Sequence, residues 1–227
     1  MKIAIDKGQQ AGKHEVKHKW LTENGHELLE LPLPVGDYIV INDKVLDVLE
    51  RKSTRVMVNK NKDTGEYIHK TGTEPKKMDF LGTYKTAVDT KKDLQEVISN
   101  ICTSTHGRFR DEVILAMNNG IKLFVLVEHG GNIKNLESVL DWKNPRQFLY
   151  ERKIRKEFGI PKGSDFKTEV SELKSHGAKI KRGPTTGEEL YKAMVTMSEK
   201  YSIEWVFCDK KETGTKIVEL LRNDINA

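Results

Sequence analysis

Three residues capable of acid–base and electrostatic chemistry lie within sixteen positions of one another: Asp37, Glu50 and Lys52. Asp37 follows Gly36 at the head of a β-rich run, Tyr38 to Ile41. Glu50-Arg51-Lys52 closes a second run, Val45 to Arg51, and Asn42-Asp43-Lys44 joins the two. This pattern predicts a β-hairpin. On a strand, Glu50 and Lys52 share a face, and an antiparallel return sets Asp37 beside them. Two neighbouring carboxylates repel and raise one another's pKa, a conflict that a divalent cation removes. Oxygen ligands suit Mg²⁺, which binds through one or two carboxylates and keeps several waters; Mn²⁺ is expected to substitute. Such a metal polarises a phosphodiester oxygen and lowers the pKa of bound water. A lysine can orient or help deprotonate that water and stabilise the charged transition state. The chemistry expected is phosphodiester hydrolysis. An isolated Glu-x-Lys carries almost no information, so its weight depends on the elements around it.

Those elements read as alternating strands and helices. Lys2 to Asp6 is a buried strand that presents Asp6 at its end, Lys13 to Asn24 has helical spacing, and Glu27 to Leu31 is a second strand. Residues 54–92 are rich in Lys, Thr, Gly and Asp and show little periodicity, so they read as an inserted, mobile excursion. Its lysines, Lys76, Lys77, Lys91 and Lys92 among them, either contact phosphates or form a solvated surface. Leu94 to Asn118 returns to helical spacing, with a break at His106-Gly107. Lys122 to Glu128 is a near-continuous apolar run, as in a central strand covered on both faces. Short helices and a loop are expected from Asn132 to Phe166, within an irregular segment at about 130–184. A helix follows from Thr185 to Tyr201, then a strand from Ile203 to Cys208 and a closing helix from Glu212 to Asn223. This order implies a layered α/β domain, and the hairpin makes its sheet mixed.

Composition sets outer limits. Apolar residues make up 37% and charged residues 32% of 227 positions, enough for a core and too polar for a membrane protein. Lys and Arg exceed Asp and Glu by 39 to 34, which permits a polyanionic partner without requiring one. Cys102 and Cys208 lack metal-type spacing and read as buried, reduced thiols. No apolar stretch reaches the length of a membrane helix, and Met1 to Asp6 reads as a strand instead of a leader. An intracellular setting is expected, cytoplasmic or nucleoid-associated, in a cellular or phage context. His14 and His18 are one helical turn apart with no third ligand nearby. A second Glu-Arg-Lys, Glu151-Arg152-Lys153, follows no Gly-Asp and reads as a solvated basic helix face.

Together, Val35-Gly36-Asp37-Tyr38-Ile39, Glu50-Arg51-Lys52, Asp6 at the end of the first strand and His106-Gly107-Arg108-Phe109 resemble the XPF-type structure-specific nucleases, a branch of the PD-(D/E)XK superfamily. That family's signature is Gly-Asp, a variable gap, Glu-Arg-Lys, three residues, then Asp. The resemblance implies a restriction-endonuclease-like three-layer α/β/α fold with a central mixed sheet. It implies one nuclease domain over 1–227, like that of short bacterial or prophage members. Asp37, Glu50 and Lys52 would be catalytic, and Asp37, Glu50 and Asp6 would hold the metal. Arg51 would support the site, and Arg108, Arg110 and Lys7 would contact DNA. The family's final Asp is Val56 here, and Asp93 resembles that Asp displaced by the excursion. The first strand departs from the family's Asp-x-Arg-Glu, reading Asp6-Lys7-Gly8-Gln9.

The activity implied is a Mg²⁺-dependent DNA endonuclease selective for branched, flap or fork DNA in recombination, repair or phage replication. The family's tandem helix-hairpin-helix domain is not seen after the core, so DNA affinity is expected to come from the domain itself, its insertion or a second subunit; the resemblance implies a homodimer. The alternative from another class is a catalytically silent module that only binds DNA or a protein. A third reading is a PD-(D/E)XK enzyme of another kind, such as a restriction enzyme or general exonuclease.

Overall fold

The computed structural model describes residues 1–9, 12–60, 67–103 and 107–222. His106 and the end of the closing helix at Asn223 lie outside them. In chain order the elements are β1 (Lys2–Asp6), α1 (Glu15–Glu23), β2 (Glu27–Leu31), β3 (Tyr38–Val40), α2 (Asp43–Thr54), β4 (Val56–Lys60), β5 (Tyr67–Thr71) and β6 (Thr86–Lys91). Then follow α3 (Leu94–Ile101), α4 (Gly107–Asn118), β7 (Lys122–Val127), α5 (Pro145–Phe158), α6 (Phe166–Ser175), α7 (Gly187–Tyr201), β8 (Glu204–Phe207) and α8 (Thr213–Leu221).

Six strands form the central sheet in the order β2-β1-β3-β6-β7-β8. Only β3 runs against its neighbours; β1 with β2, β6 with β7, and β7 with β8 pair in parallel. The two-residue period of the strands divides the core into two layers. Ala4, Ile39, Ala87, Leu123 and Val125 face one side and pack with residues of α2, α3, α4 and α7. Ile3, Tyr38, Val88, Phe124 and Leu126 face the other and pack with α1 and α8. The sheet therefore lies between two helical layers, as expected. Among the described residues no helix is long and apolar enough to cross a membrane.

The hairpin expected over 38–51 does not form. Tyr38–Val40 is a strand, but its supposed partner is the helix α2. Asn42 caps that helix by accepting from the Val45 N–H at 3.0 Å, and Asp43 complements the positive helix terminus. Val45 and Val48 are buried while Leu46 is exposed, a three-residue period that a strand cannot satisfy. The alternating β-branched residues concealed a helical stripe.

The excursion over 54–92 is corrected too. Its first part is a separate two-stranded ribbon, β4 with β5. Its last part, β6, is a central strand paired with both β3 and β7 and buried at all six positions. Cys208 is buried as expected, but Cys102 is exposed; neither is in a disulfide.

Candidate active site

Strand β6 reads Thr86-Ala87-Val88-Asp89-Thr90-Lys91. A central strand covered on both faces is ordinarily apolar throughout. Here Asp89, Thr90 and Lys91 are 5%, 6% and 8% exposed. Burying three polar side chains in succession is costly unless each finds a partner, and their partners define the site.

Asp89 and Lys91 share one face, and Lys91 Nζ lies 2.5 Å from Asp89 Oδ2. That oxygen has no other partner among the described residues. Lys91 also sits over the Phe109 ring of α4, 5.0 Å from its centroid. On the opposite face, the Thr90 hydroxyl donates to Asp37 Oδ2 at 2.6 Å, and the Thr90 N–H donates to the same oxygen at 2.9 Å. Thr90 Oγ1 also accepts from Lys17 Nζ of α1 at 3.3 Å. Lys17 forms a buried ion pair with Glu128 just beyond β7. Thr90 thus links Asp37 to a charged pair beneath it.

Gly36 and Asp37 are clamped to β6 by the backbone. The Asp37 N–H donates to the Val88 carbonyl at 2.8 Å, and the Asp6 N–H donates to the Asp37 carbonyl at 2.9 Å. The Gly36 N–H donates to Glu112 Oε1 of α4 at 2.8 Å. Gly36 has φ 77°, and a Cβ there would stand 2.8 Å from the Ala87 Cβ. Only glycine fits both the left-handed backbone and the close approach. Gly36→Ala is expected to cost about 2–4 kcal/mol, adding left-handed strain to overpacking. Chemical denaturation checks this; an unchanged midpoint would show that the turn is not constrained.

The cluster holds more acidic than basic side chains. Burial pushes the Asp89 carboxyl up to about 8, with Asp37 and Glu112 adding to the rise and Lys91 opposing it. Burial likewise raises Glu112, against the pull of the Gly36 N–H and Lys91. Burial alone would lower Lys91, but attraction to Asp89, Asp37 and Glu112 outweighs it and holds the ammonium charged.

These groups line a cleft of about 1120 Å³. Lys13, Lys77, Lys92, Arg108, Arg146 and Lys210 also line it, placing cations around the carboxylates. Asp6 lies in it, with Oδ1 accepting from the Leu33 N–H at 2.9 Å. Asp93 lies in it as well, but its Oδ1 caps α3 by accepting from the Glu96 N–H at 2.9 Å.

Of the residues expected at the site, Asp37, Asp6, Asp93 and Arg108 meet at this cleft. Glu50 and Lys52 do not join them. On a helix two positions apart, they point in different directions. Lys52 is 2.8 Å from Asp79, and Glu50 lines a separate surface hollow with Arg51 and Asp79. Arg51 folds back toward the Asp47 carbonyl of its own helix. Lys7 faces Glu74 at 3.9 Å, and Arg110 faces its neighbour Asp111 at 3.4 Å; neither lines the cleft. Glu151-Arg152-Lys153 lies within α5, as expected for a basic helix face. Asp89, Lys91, Glu112 and Lys17 were missed. Asp89-Thr90-Lys91 is an acid-x-lysine triplet after the apolar Ala87-Val88, a signal obscured by the lysines around it.

The fold and cleft define a layered α/β protein with buried carboxylates and a buried ammonium at the end of a central strand. No family model matches the chain, and no curated protein matches it. Among solved structures it is similar to XPF from Aeropyrum pernix in complex with DNA, at 13% identity and a TM-score of 0.46. That similarity covers 99% of this chain and 65% of the other, so the chain spans just under two thirds of that protein's length.

Proposed function

We propose that this chain is a metal-dependent DNA endonuclease of the XPF type, with its chemistry at Asp37, Asp89 and Lys91 instead of Asp37, Glu50 and Lys52. The observation that carries the reading is the buried Asp89-Thr90-Lys91 triplet meeting Asp37 in a cation-lined cleft. In the family pattern, Asp89 stands for the acid and Lys91 for the lysine, with Gly107-Arg108-Phe109 following at the start of α4.

The cluster fits Mg²⁺. Both Thr90 hydrogen bonds to Asp37 fall on Oδ2, and the buried Asp89 carboxyl has Lys91 as its one charged partner among the described residues. Among the described residues no three His, Cys, Asp or Glu side chains form a ready cage, and Mg²⁺ needs only one or two carboxylates with water and substrate phosphate. Asp37 and Asp89 would hold it, with Asp6 beside them. When bound, the ion would offset the carboxylate charge and supply Lewis acidity toward the phosphodiester.

The chain's own groups have distinct tasks. Lys91, held protonated, acts as a fixed cation that stabilises charge developing on the phosphate; it is not a base. Thr90 and Lys17 orient Asp37, and Glu112 holds the Gly36 turn. Arg108 and the other cleft cations would bind the DNA backbone without reading sequence. Selectivity for branched, flap or fork DNA, action as a homodimer and an intracellular setting belong to the same proposal.

The test is incubation of the purified protein with fork, flap, junction and plain duplex DNA, with Mg²⁺, with Mn²⁺ or with EDTA, beside Asp37→Ala. Cleavage of a branched substrate that is lost in EDTA and in Asp37→Ala is expected. Binding without cleavage under every condition would establish the silent module instead, and cleavage that survives Asp37→Ala would overturn the site.

A further inference from the structure

Helix α5 begins at the cleft and leads away from it. Its N-cap, Asn144, is buried and accepts from Gln95 of α3 at 2.6 Å while donating to the Thr185 carbonyl at 2.8 Å. Gln147 donates to the Pro184 carbonyl at 2.7 Å. Gln95 and Arg146 both line the cleft, so the start of α5 is fixed at its edge. Fourteen residues then carry the helix about 20 Å outward.

The inner side of α5 serves the fold. Ile154 is buried, and Arg155 bonds to Glu151, to the Ser164 carbonyl and to Ser164 Oγ while stacking over Phe166. The outer side has no such employment. Phe148 is 69% and Leu149 62% exposed. Arg152, Lys153 and Lys156 are exposed one and two turns further on, and none is paired with a carboxylate among the described residues. A helix face that offers an aromatic ring among unpaired cations complements a strand with unstacked bases and charged phosphates. A duplex hides its bases, so an exposed Phe has most to gain from a single strand. The face is continuous with the cleft through Arg146.

We infer that the outer face of α5 is a single-strand DNA platform, on which Phe148 stacks a base and Arg152, Lys153 and Lys156 contact phosphates of the strand that leaves the cleft. The inference rests on the nuclease reading above and adds the route of one strand.

Fluorescence anisotropy tests it, with a dye-labelled 30-nucleotide single strand and a fork, in EDTA and across a salt series. Helix content is checked by circular dichroism. Phe148→Ala is expected to weaken single-strand binding on the order of 10-fold, and Phe148→Leu, which keeps apolar area without the ring, to recover little of it. The Arg152→Ala/Lys153→Ala/Lys156→Ala variant is expected to flatten the salt dependence of log K by about 2. Cleavage of a fork by the parent, with all three variants binding like the parent, would overturn the platform and leave the nuclease reading intact. A parent that neither binds nor cleaves any DNA would overturn both. If the variants lose self-association in sedimentation while DNA binding is unchanged, the face joins two copies of the chain and the platform is wrong.

Discussion

Lys91→Ala and Asp89→Asn are each expected to lower DNA cleavage on the order of 1,000-fold, in line with the loss of a preorganised charge at a developing anion. Lys52→Ala and Glu50→Ala are expected to leave it within about 3-fold, as for residues outside the cleft. The contrast follows from placement. Lys91 is buried against Asp89 and feels the field of Asp37 and Glu112. Lys52 pairs with Asp79 on the rim of another hollow. Single-turnover cleavage of a labelled fork, with enzyme in excess and Mg²⁺ saturating, separates chemistry from binding. The α5 platform predicts the reverse separation, a change in binding with little change in the single-turnover rate. Activity lost in Lys52→Ala and kept in Lys91→Ala would return the chemistry to α2 and defeat the reading of β6.

In EDTA, stability is expected to fall between about pH 6.5 and 8, and Asp89→Asn is expected to flatten that fall and raise the melting temperature. Asp89 has its carboxyl pushed up to about 8 by burial, while in the unfolded chain it titrates near the usual 3.9. Below the unfolded value both states hold the proton. Between the two values the folded state keeps a proton that the unfolded chain has released, so stability drops as pH rises. Above about 8 both are ionised and this contribution to the slope ends. Glu112 is raised as well and acts in the same direction.

Histidines oppose this at lower pH. His18 is lowered to about 4, first by burial and then by His14 and Lys17. The unfolded chain therefore binds more protons at that residue between about 4 and 6.5, so stability rises with pH there. The net fall is clearest above 6.5, where that opposing contribution has ended. Each kcal/mol recovered by Asp89→Asn would raise the midpoint by about 2–4 °C in a chain of this size. Thermal melts at pH 6.5, 7.25 and 8 decide the matter. Equal slopes for the parent and Asp89→Asn would show that Asp89 is ionised in the folded state across this range. Added Mg²⁺ is expected to reduce the parent's slope, because a cation offsets the charge that ionisation creates.

Stability and activity therefore pull on the same residue. A carboxyl group withdrawn from water in the core is a cost to the folded chain even beside Lys91. It is retained in a cleft whose proposed chemistry needs that charge, a common arrangement where function opposes stability.

The sequence alone determined most of the frame. A short apolar run such as Lys122–Val127, rich in β-branched and aromatic residues, reads as a covered strand, and the spacing of Leu94, Val97 and Ile98 sets a helical face, because burial follows the period of each element. It also placed Asp37 after a constrained turn, since a Gly-Asp before a strand marks one, and Asp6 at the end of β1. It misassigned the partners of Asp37. Val45 to Arg51 offered β-branched residues and an acid-x-lysine, whereas Asn42 and Asp43 carried the weaker but decisive signal of a helix start. Asp89-Thr90-Lys91 was concealed by polarity, because a strand that buries Asp and Lys looks like a loop until their partners are known.

Those partners come from distant parts of the chain: Lys17 from α1, Asp37 from the turn before β3 and Glu112 from α4. Local periodicity contains no record of such pairings. Only the tertiary structure decided that the buried charges gather around β6 and not on a hairpin, because only packing shows which charges are withdrawn from water together.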